Sequence, residues 1–108
     1  RTLENDKSGD YLKKSILAVG HICVERKIVT DDVKEILQIL SSWKNNKNID
    51  AVIITGGTGI TGRDVTPEAT KMIIEREAPG LVHAMMSGSL SVTPMAMLSR
   101  LTAGTVLG

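Results

Sequence analysis

The chain is poor in aromatic residues: its 108 residues include no Phe, one Trp and one Tyr. The core must therefore be built from aliphatic side chains and Met. The 13 Lys and Arg side chains are balanced by 12 Asp and Glu, and the two signs are interspersed. A nucleic-acid surface is expected to show a basic patch with interleaved aromatics, so the composition predicts no nucleic-acid partner. No apolar run approaches the roughly 18 residues that span a bilayer, so no membrane span is expected.

Cysteine is almost absent as well. Cys23 is the only one, which excludes an internal disulfide bond and a cysteine-based zinc cluster. His21 and His83 are far apart in the sequence and lack the spacing of metal ligands. This cysteine usage is typical of a reducing compartment, and we expect a cytoplasmic protein.

Predicted helices and strands alternate along the chain, and its length favours a single domain over residues 1–108. Apolar residues two or four positions apart predict a strand at residues 21–29, and an unbroken apolar run predicts a strand at residues 51–55. A further strand is expected to begin at residues 103–107. Apolar residues at helical spacing predict helices over the segments 8–19, 33–40 and 67–73. A further helical segment is expected over 81–90, and Thr93-Pro94 predicts the start of a short helix over 94–99. This alternation predicts a layered α/β domain with a mostly parallel sheet.

Residues suited to helix ends stand beside these segments. The expected N-caps are Ser8, Asp31 or Asp32, Thr66 (with Pro67 in the first turn) and Thr93. Gly20 and the Ala-Pro-Gly sequence at residues 78–80 are expected to end helices.

The loop at residues 55–65 reads T-G-G-T-G-I-T-G-R-D-V and contains the dinucleotide-binding pattern G-x-G-x-x-G. In a nicotinamide-binding unit a helix opens at the third glycine, and an acid follows about 20 residues later. Here Arg63, Asp64 and Val65 separate Gly62 from the next helix start, and no second strand ending in an acid follows. A nicotinamide-dependent oxidoreductase is therefore disfavoured.

The same glycines and threonines indicate a loop whose backbone N–H groups and hydroxyls approach an anion. The following helix N-terminus adds a favourable dipole, and the planar fork of Arg63 can pair with phosphate oxygens. Asp64 beside it requires a cation, and Mg²⁺ is commonly held by one or two carboxylates plus substrate phosphates. Asp31 follows the preceding predicted strand, so parallel strands would bring it to the same sheet edge. From the residues alone, a helix cap for Asp31, a turn role for Asp64 and a solvated Arg63 stay open.

The segment T-G-G-T-G-I-T-G-R-D-V-T-P-E-A at residues 55–69 closely resembles the motif of MogA/MoaB-type molybdopterin adenylyltransferases, a family that includes the G domains of gephyrin. The resemblance covers nearly the whole chain, through D-K-S-G (6–9), I-V-T-D-D (28–32), I-E-R-E-A-P-G (74–80), S-L-S-V-T-P (89–94) and M-L-S-R (97–100). It implies the three-layer molybdopterin-binding fold. The family's first strand and a later strand have no counterpart in this sequence, so we expect a domain that is incomplete at both ends.

The resemblance further implies a reaction: Mg-ATP-dependent adenylylation of molybdopterin to adenylyl-molybdopterin and pyrophosphate. Asp64 and Asp31 are its implied catalytic residues and Mg²⁺ ligands. The resemblance implies most of the substrate- and phosphate-binding residues, and the phosphate-pairing argument above contributes Arg63. The full expected set is Gly56, Gly57, Thr58, Gly59, Arg63, Ser89, Ser99 and Arg100. A homotrimer and a fused or separate molybdate-insertion domain are implied partners. The alternative is a non-catalytic molybdopterin-binding or trimeric scaffold module, and the presence of both acids favours the enzyme.

Overall fold

The computed structural model describes residues 4–106. Its elements in chain order are α1 (Lys7–Ala18), α2 (Val33–Lys44), α3 (Thr66–Ile73), β1 (Arg76–Glu77), α4 (Pro79–Leu90), a 3-10 helix (Pro94–Leu98) and β2 (Gly104–Thr105). All five predicted helical segments are present, and the structure corrects several of their ends.

Helix α1 begins earlier than predicted because Asp6, and not Ser8, is its N-cap. The Asp6 carboxylate accepts a hydrogen bond from the Gly9 amide at 3.1 Å, which places Ser8 inside the first turn. The end of α1 is as predicted. Gly20 has a φ of 91°, a conformation that glycine adopts without strain, and the backbone bonds around it form a Schellman-type C-cap.

The structure shows which of two neighbouring aspartates, Asp31 or Asp32, is the N-cap of α2. Asp32 is the N-cap, and its carboxylate accepts a hydrogen bond from the Lys34 amide at 3.2 Å. Asp31 is exposed and is not needed for the cap. The start of α3 is one residue off the prediction: Val65 is the N-cap without a side-chain bond, and Thr66 is already helical.

The predicted helix stop at residues 78–80 is wrong. Helix α3 ends at Ile73, β1 follows, and Pro79 begins α4. Proline suits the first turn of a helix because its missing N–H would have no partner there. The same preference holds at the 3-10 helix, where Thr93 is the N-cap as predicted and accepts a hydrogen bond from the Met95 amide.

The only sheet among the described residues is the antiparallel pair of β1 and β2, in which Arg76 lies opposite Thr105. It confirms part of the strand predicted at residues 103–107, whose residue 107 lies outside the described residues. The strands predicted at 21–29 and 51–55 are not formed in this part of the chain. A strand is defined by its ladder of backbone hydrogen bonds, and neither segment finds a ladder partner among residues 4–106.

The core lies between α2 and α3. Ile36, Leu40 and Ala69 are its buried members. Six further apolar residues pack against them: Val29, Val33, Leu37, Ile54, Val65 and Ile73. Val29 and Ile54 belong to the two segments predicted as strands, so both segments pack on the same pair of helices and lead into Asp31 and into the glycine loop. No helix among the described residues is long and apolar enough to cross a membrane.

Candidate functional site

The glycine loop turns sharply at its start and is closed by a backbone bond. Gly56 and Gly57 have φ values of 94° and 68°, which residues with a Cβ atom rarely adopt. The Thr66 amide, at the beginning of α3, donates to the Gly57 carbonyl oxygen at 3.1 Å. A Cβ atom at Gly57 would collide with the Thr66 hydroxyl. The two glycines therefore allow the loop to fold back onto the N-terminal end of α3.

Asp64 is held by Thr61 within the same loop. Its Oδ2 atom accepts hydrogen bonds from the Thr61 hydroxyl at 2.7 Å and from the Thr61 amide at 3.1 Å. The Asp64 amide donates in return to the Thr61 carbonyl oxygen at 3.1 Å. Both hydrogen bonds from Thr61 fall on the same oxygen, Oδ2, so Thr61 orients the Asp64 carboxylate through that atom.

These contacts lower the pKa of Asp64 below its ordinary value, chiefly through the Thr61 hydroxyl and then the Thr61 amide. The carboxylate is therefore ionised throughout the neutral range. Its ionisation stabilises the folded loop above the ordinary aspartate pKa of about 3.9, and this contribution is lost as the pH falls through the lower folded-state value.

We accordingly expect the Thr61 amide proton resonance to stay constant from neutral pH down to about pH 4 and to shift only below it. An NMR titration measures this directly. A titration midpoint above the ordinary aspartate value would contradict the hydrogen-bonded carboxylate described above.

Asp31 and Asp64 both border the glycines of the loop. Oδ1 of Asp31 lies 3.3 Å from the position that a Cβ atom would take at Gly57, and Oδ2 of Asp64 lies 2.6 Å from the corresponding position at Gly59. A carboxylate therefore lies against each of two glycines of the loop. Both acids that the sequence predicts as partners therefore border this loop, and their shared role stays a prediction.

Ser99 and Arg100 lie against the other side of this loop. The Ser99 and Thr58 hydroxyl oxygens are 2.9 Å apart, and either one can donate. The Arg100 amide donates to the Thr58 carbonyl oxygen at 2.6 Å. The Arg100 guanidinium donates to the carbonyl oxygens of Gly59 and Asp64, each at 2.7 Å, and also to the carboxylate of Glu68.

Two predicted binding residues are not drawn into this arrangement. Arg63 is exposed and has no ion-pair partner within the part of the chain that the structure describes. Ser89 lies in the last turn of α4. Among the described residues 4–106, its side chain makes no hydrogen bond to the glycine loop. Their binding roles stay predictions.

The contacts of two site residues are not predicted from the sequence. Thr61 is one of the loop hydroxyls that the sequence indicates, but its bonds to Asp64 emerge only from the structure, although a threonine three residues before an aspartate in a turn is a local signal. Glu68 pairs with Arg100 across 32 positions of sequence, and no local pattern could have indicated that pairing.

The site offers two carboxylates, Asp31 and Asp64, as possible ligands of a metal ion. Among residues 4–106 there is no group of three or more His, Cys, Asp or Glu side chains that could hold a metal ion. Mg²⁺ does not need such a group, because it keeps several waters and is usually held by one or two carboxylates plus substrate phosphates. Asp31 and Asp64, which both lie against glycines of the loop, fit that requirement.

The comparison with known proteins decides the family. The family described as "Probable molybdopterin binding domain" matches residues 2–108. The chain belongs to this molybdopterin-binding family. A Bacillus cereus relative named "Molybdenum cofactor biosynthesis protein B" is 38% identical over 108 residues, which covers 98% of the chain. "Gephyrin" of Dictyostelium discoideum is 46% identical over 78 residues, or 72% of the chain.

A solved structure gives the fold of this molybdopterin-binding domain. The crystal structure of a Molybdenum cofactor biosynthesis protein B superposes with a TM-score of 0.87 at 38% identity, over 98% of this chain and 67% of that one. The predicted MogA/MoaB fold class is thereby confirmed. The chain spans 64% of the length of the Bacillus cereus protein and 11% of that of gephyrin. The matching family is described as a molybdopterin-binding domain, and the Bacillus cereus relative is named for molybdenum cofactor biosynthesis.

Proposed function

We propose that the full-length protein transfers the adenylyl group of ATP to molybdopterin. The terminal phosphate oxygen of molybdopterin attacks the α-phosphorus of ATP and forms a new P–O bond. The bond between the α-phosphorus and the oxygen that bridges to the β-phosphorus breaks, and that oxygen leaves with pyrophosphate. Adenylyl-molybdopterin is the second product, and the reaction consumes no oxidant or reductant.

One observation carries this proposal: two carboxylates, Asp31 and Asp64, lie against glycines of the same loop. A binding module for an anionic ligand would be expected to avoid carboxylates at the anion, since like charges repel. Asp31 and Asp64 beside Gly57 and Gly59 suit a metal-bridged triphosphate instead. Catalysis in such a site consists of positioning and charge neutralisation, as in other phosphoryl chemistry.

Each residue of the site has a proposed role. Asp64 and Asp31 would hold Mg²⁺, which would supply neutralisation of the phosphate charge and polarisation of the α-phosphate. The phosphates lie on the loop, where the contacts are Gly56, Gly57, Thr58, Gly59 and Arg63. Ser99 contacts molybdopterin, whereas the binding roles of Ser89 and Arg100 stay predictions from the family resemblance.

Product analysis tests the reaction. The full-length protein is incubated with molybdopterin, ATP and Mg²⁺, and adenylyl-molybdopterin and pyrophosphate are quantified by chromatography. Equal amounts of the two products are expected. Protein that binds molybdopterin but yields neither product would overturn the transferase and leave the non-catalytic binding or scaffold module.

The role proposed for Ser99 predicts a separate effect on pterin binding. Replacing Ser99 with Ala removes one neutral hydrogen bond, so we expect molybdopterin affinity to fall about three- to tenfold. Ser91→Ala is the matched control, because the Ser91 hydroxyl donates only to the Gly88 carbonyl of its own helix end. Titration by fluorescence or calorimetry measures both, and equal affinities in the two variants would contradict the assignment.

A homotrimer is the proposed assembly state. Large apolar side chains are exposed on α4 and just after it, including Leu81, Val92, Met95 and Met97. Exposed apolar patches of this kind commonly mark interaction surfaces. Sedimentation of the full-length protein is expected to give three times the mass of one chain, and a monomer would contradict the proposal. Molybdate insertion is assigned to a fused or separate domain.

A further inference from the structure

The side chain of Arg100 joins three parts of the site. Its Nε atom donates to the Gly59 carbonyl oxygen and one of its Nη atoms to the Asp64 carbonyl oxygen, each at 2.7 Å. These carbonyls lie at the two ends of the segment that contains Thr61. Both Nη atoms also donate to the carboxylate of Glu68, in the first turn of α3. All three guanidinium nitrogens are therefore used inside the protein.

Glu68 belongs to a well-packed helix turn, whereas the loop that Arg100 contacts is largely exposed. Its neighbours Pro67 and Ala69 are buried against the core, so the first turn of α3 is anchored. Residues 60–63 of the loop are all exposed. A planar guanidinium held by two carboxylate oxygens has one orientation, and that orientation determines where its remaining N–H groups point.

We infer that the Glu68–Arg100 ion pair positions the loop that carries Asp64, and that Glu68 is a positioning residue for the reaction proposed above. The inference rests on that proposed function. The pair fixes both ends of the segment 59–64, and through the Arg100 backbone and Ser99 it joins this segment to the predicted pterin contact. Its contribution is geometric, since an ion pair as exposed as this one adds little to overall stability.

A matched pair of variants tests the inference in the full-length protein. Glu68→Gln keeps the size of the side chain and removes the charge. Glu75→Gln is the control, because it removes the charge of Glu75 from an ion pair with Lys44. The two glutamate side chains are similarly exposed, 48% for Glu75 and 46% for Glu68. We expect Glu68→Gln to lower kcat about 10- to 100-fold, because misplacement of a reacting group by about 1 Å costs a rate factor of this order. KM for molybdopterin should change little, and Glu75→Gln should behave like the parent.

Amide hydrogen exchange of residues 57–65 supplies a readout independent of turnover. Exchange in this segment should accelerate in Glu68→Gln and not in Glu75→Gln. Arg100→Lys should repeat the Glu68→Gln result, since an ammonium group cannot span two carbonyls and a carboxylate. It carries the same test if Glu68→Gln does not fold.

The outcomes separate this inference from the proposed function. A parent protein without product refutes the adenylyl transfer, and the exchange comparison then decides whether the ion pair positions the loop. Equal loop exchange in Glu68→Gln and Glu75→Gln overturns the inference whatever the parent does. Faster loop exchange with an unchanged kcat in an active protein overturns the positioning role of Glu68.

Discussion

The replacement Asp64→Asn is expected to lower kcat for adenylyl transfer by at least about 100- to 1,000-fold, which is the usual loss when one electrostatic contact to the reacting centre is removed. Asn has the same shape and can still accept the hydrogen bonds of Thr61, so the loop keeps its conformation. Only the charge toward the metal and the triphosphate disappears. Molybdopterin affinity, measured by titration on the same samples, should be nearly that of the parent.

Thr61→Val is the control for this experiment, because it removes the hydroxyl and keeps the Asp64 charge. It should lower kcat much less than Asp64→Asn does. If a folded Asp64→Asn variant lost molybdopterin affinity and turnover to the same degree, Asp64 would have to be reassigned from the metal and triphosphate to the pterin.

The second large effect is expected from a single methyl group. In Gly59→Ala the new Cβ atom would lie 2.6 Å from Oδ2 of Asp64, so the carboxylate must move away from its bonds to Thr61. We expect kcat to fall about 100-fold, because the catalytic carboxylate is displaced by an ångström or more. The thermal midpoint should change little, since the atom that yields is the end of a side chain that can rotate.

Gly62→Ala is the matched substitution three residues further on. Nothing lies within 4 Å of a Cβ atom at Gly62, so this variant should retain the kcat and stability of the parent. Similar kcat values for Gly59→Ala and Gly62→Ala would show that the position of the Asp64 carboxylate does not control the reaction.

The parts of the fold that the sequence predicted are those set by neighbouring residues. Helix α2 follows from its apolar spacing, and Gly20 ends α1 because few residues other than glycine tolerate its φ of 91°. The N-cap of α1 was placed at Ser8 because its hydroxyl suits a cap, whereas the buried carboxylate of Asp6 takes that position. The strands at 21–29 and 51–55 could not be settled locally, since a strand depends on a partner elsewhere.

The same distinction applies to the site. The glycine loop and its acid form one continuous segment, so their chemistry could be predicted from spacing and from the family resemblance. Asp31 comes to the loop because its segment packs on the same helices as residues 51–55. The sequence predicted a different route, through two parallel strands, and those strands are not formed among residues 4–106. The contact between Glu68 and Arg100 depends on how α3 and the segment after the 3-10 helix meet in space. No pattern within either segment specifies it.

The central claim is that the loop around Asp64 holds a metal-bound nucleotide, and the binding of Mn²⁺-ATP tests it most directly. Mn²⁺ replaces Mg²⁺ as a paramagnetic probe, and its electron paramagnetic resonance signal reports binding to the full-length protein in the presence of ATP, without molybdopterin. We predict that Asp64→Asn weakens this binding at least about tenfold, the effect of losing one of two carboxylate ligands, while Gly62→Ala binds as the parent does. Equal Mn²⁺-ATP affinity in the parent and in Asp64→Asn would contradict the account.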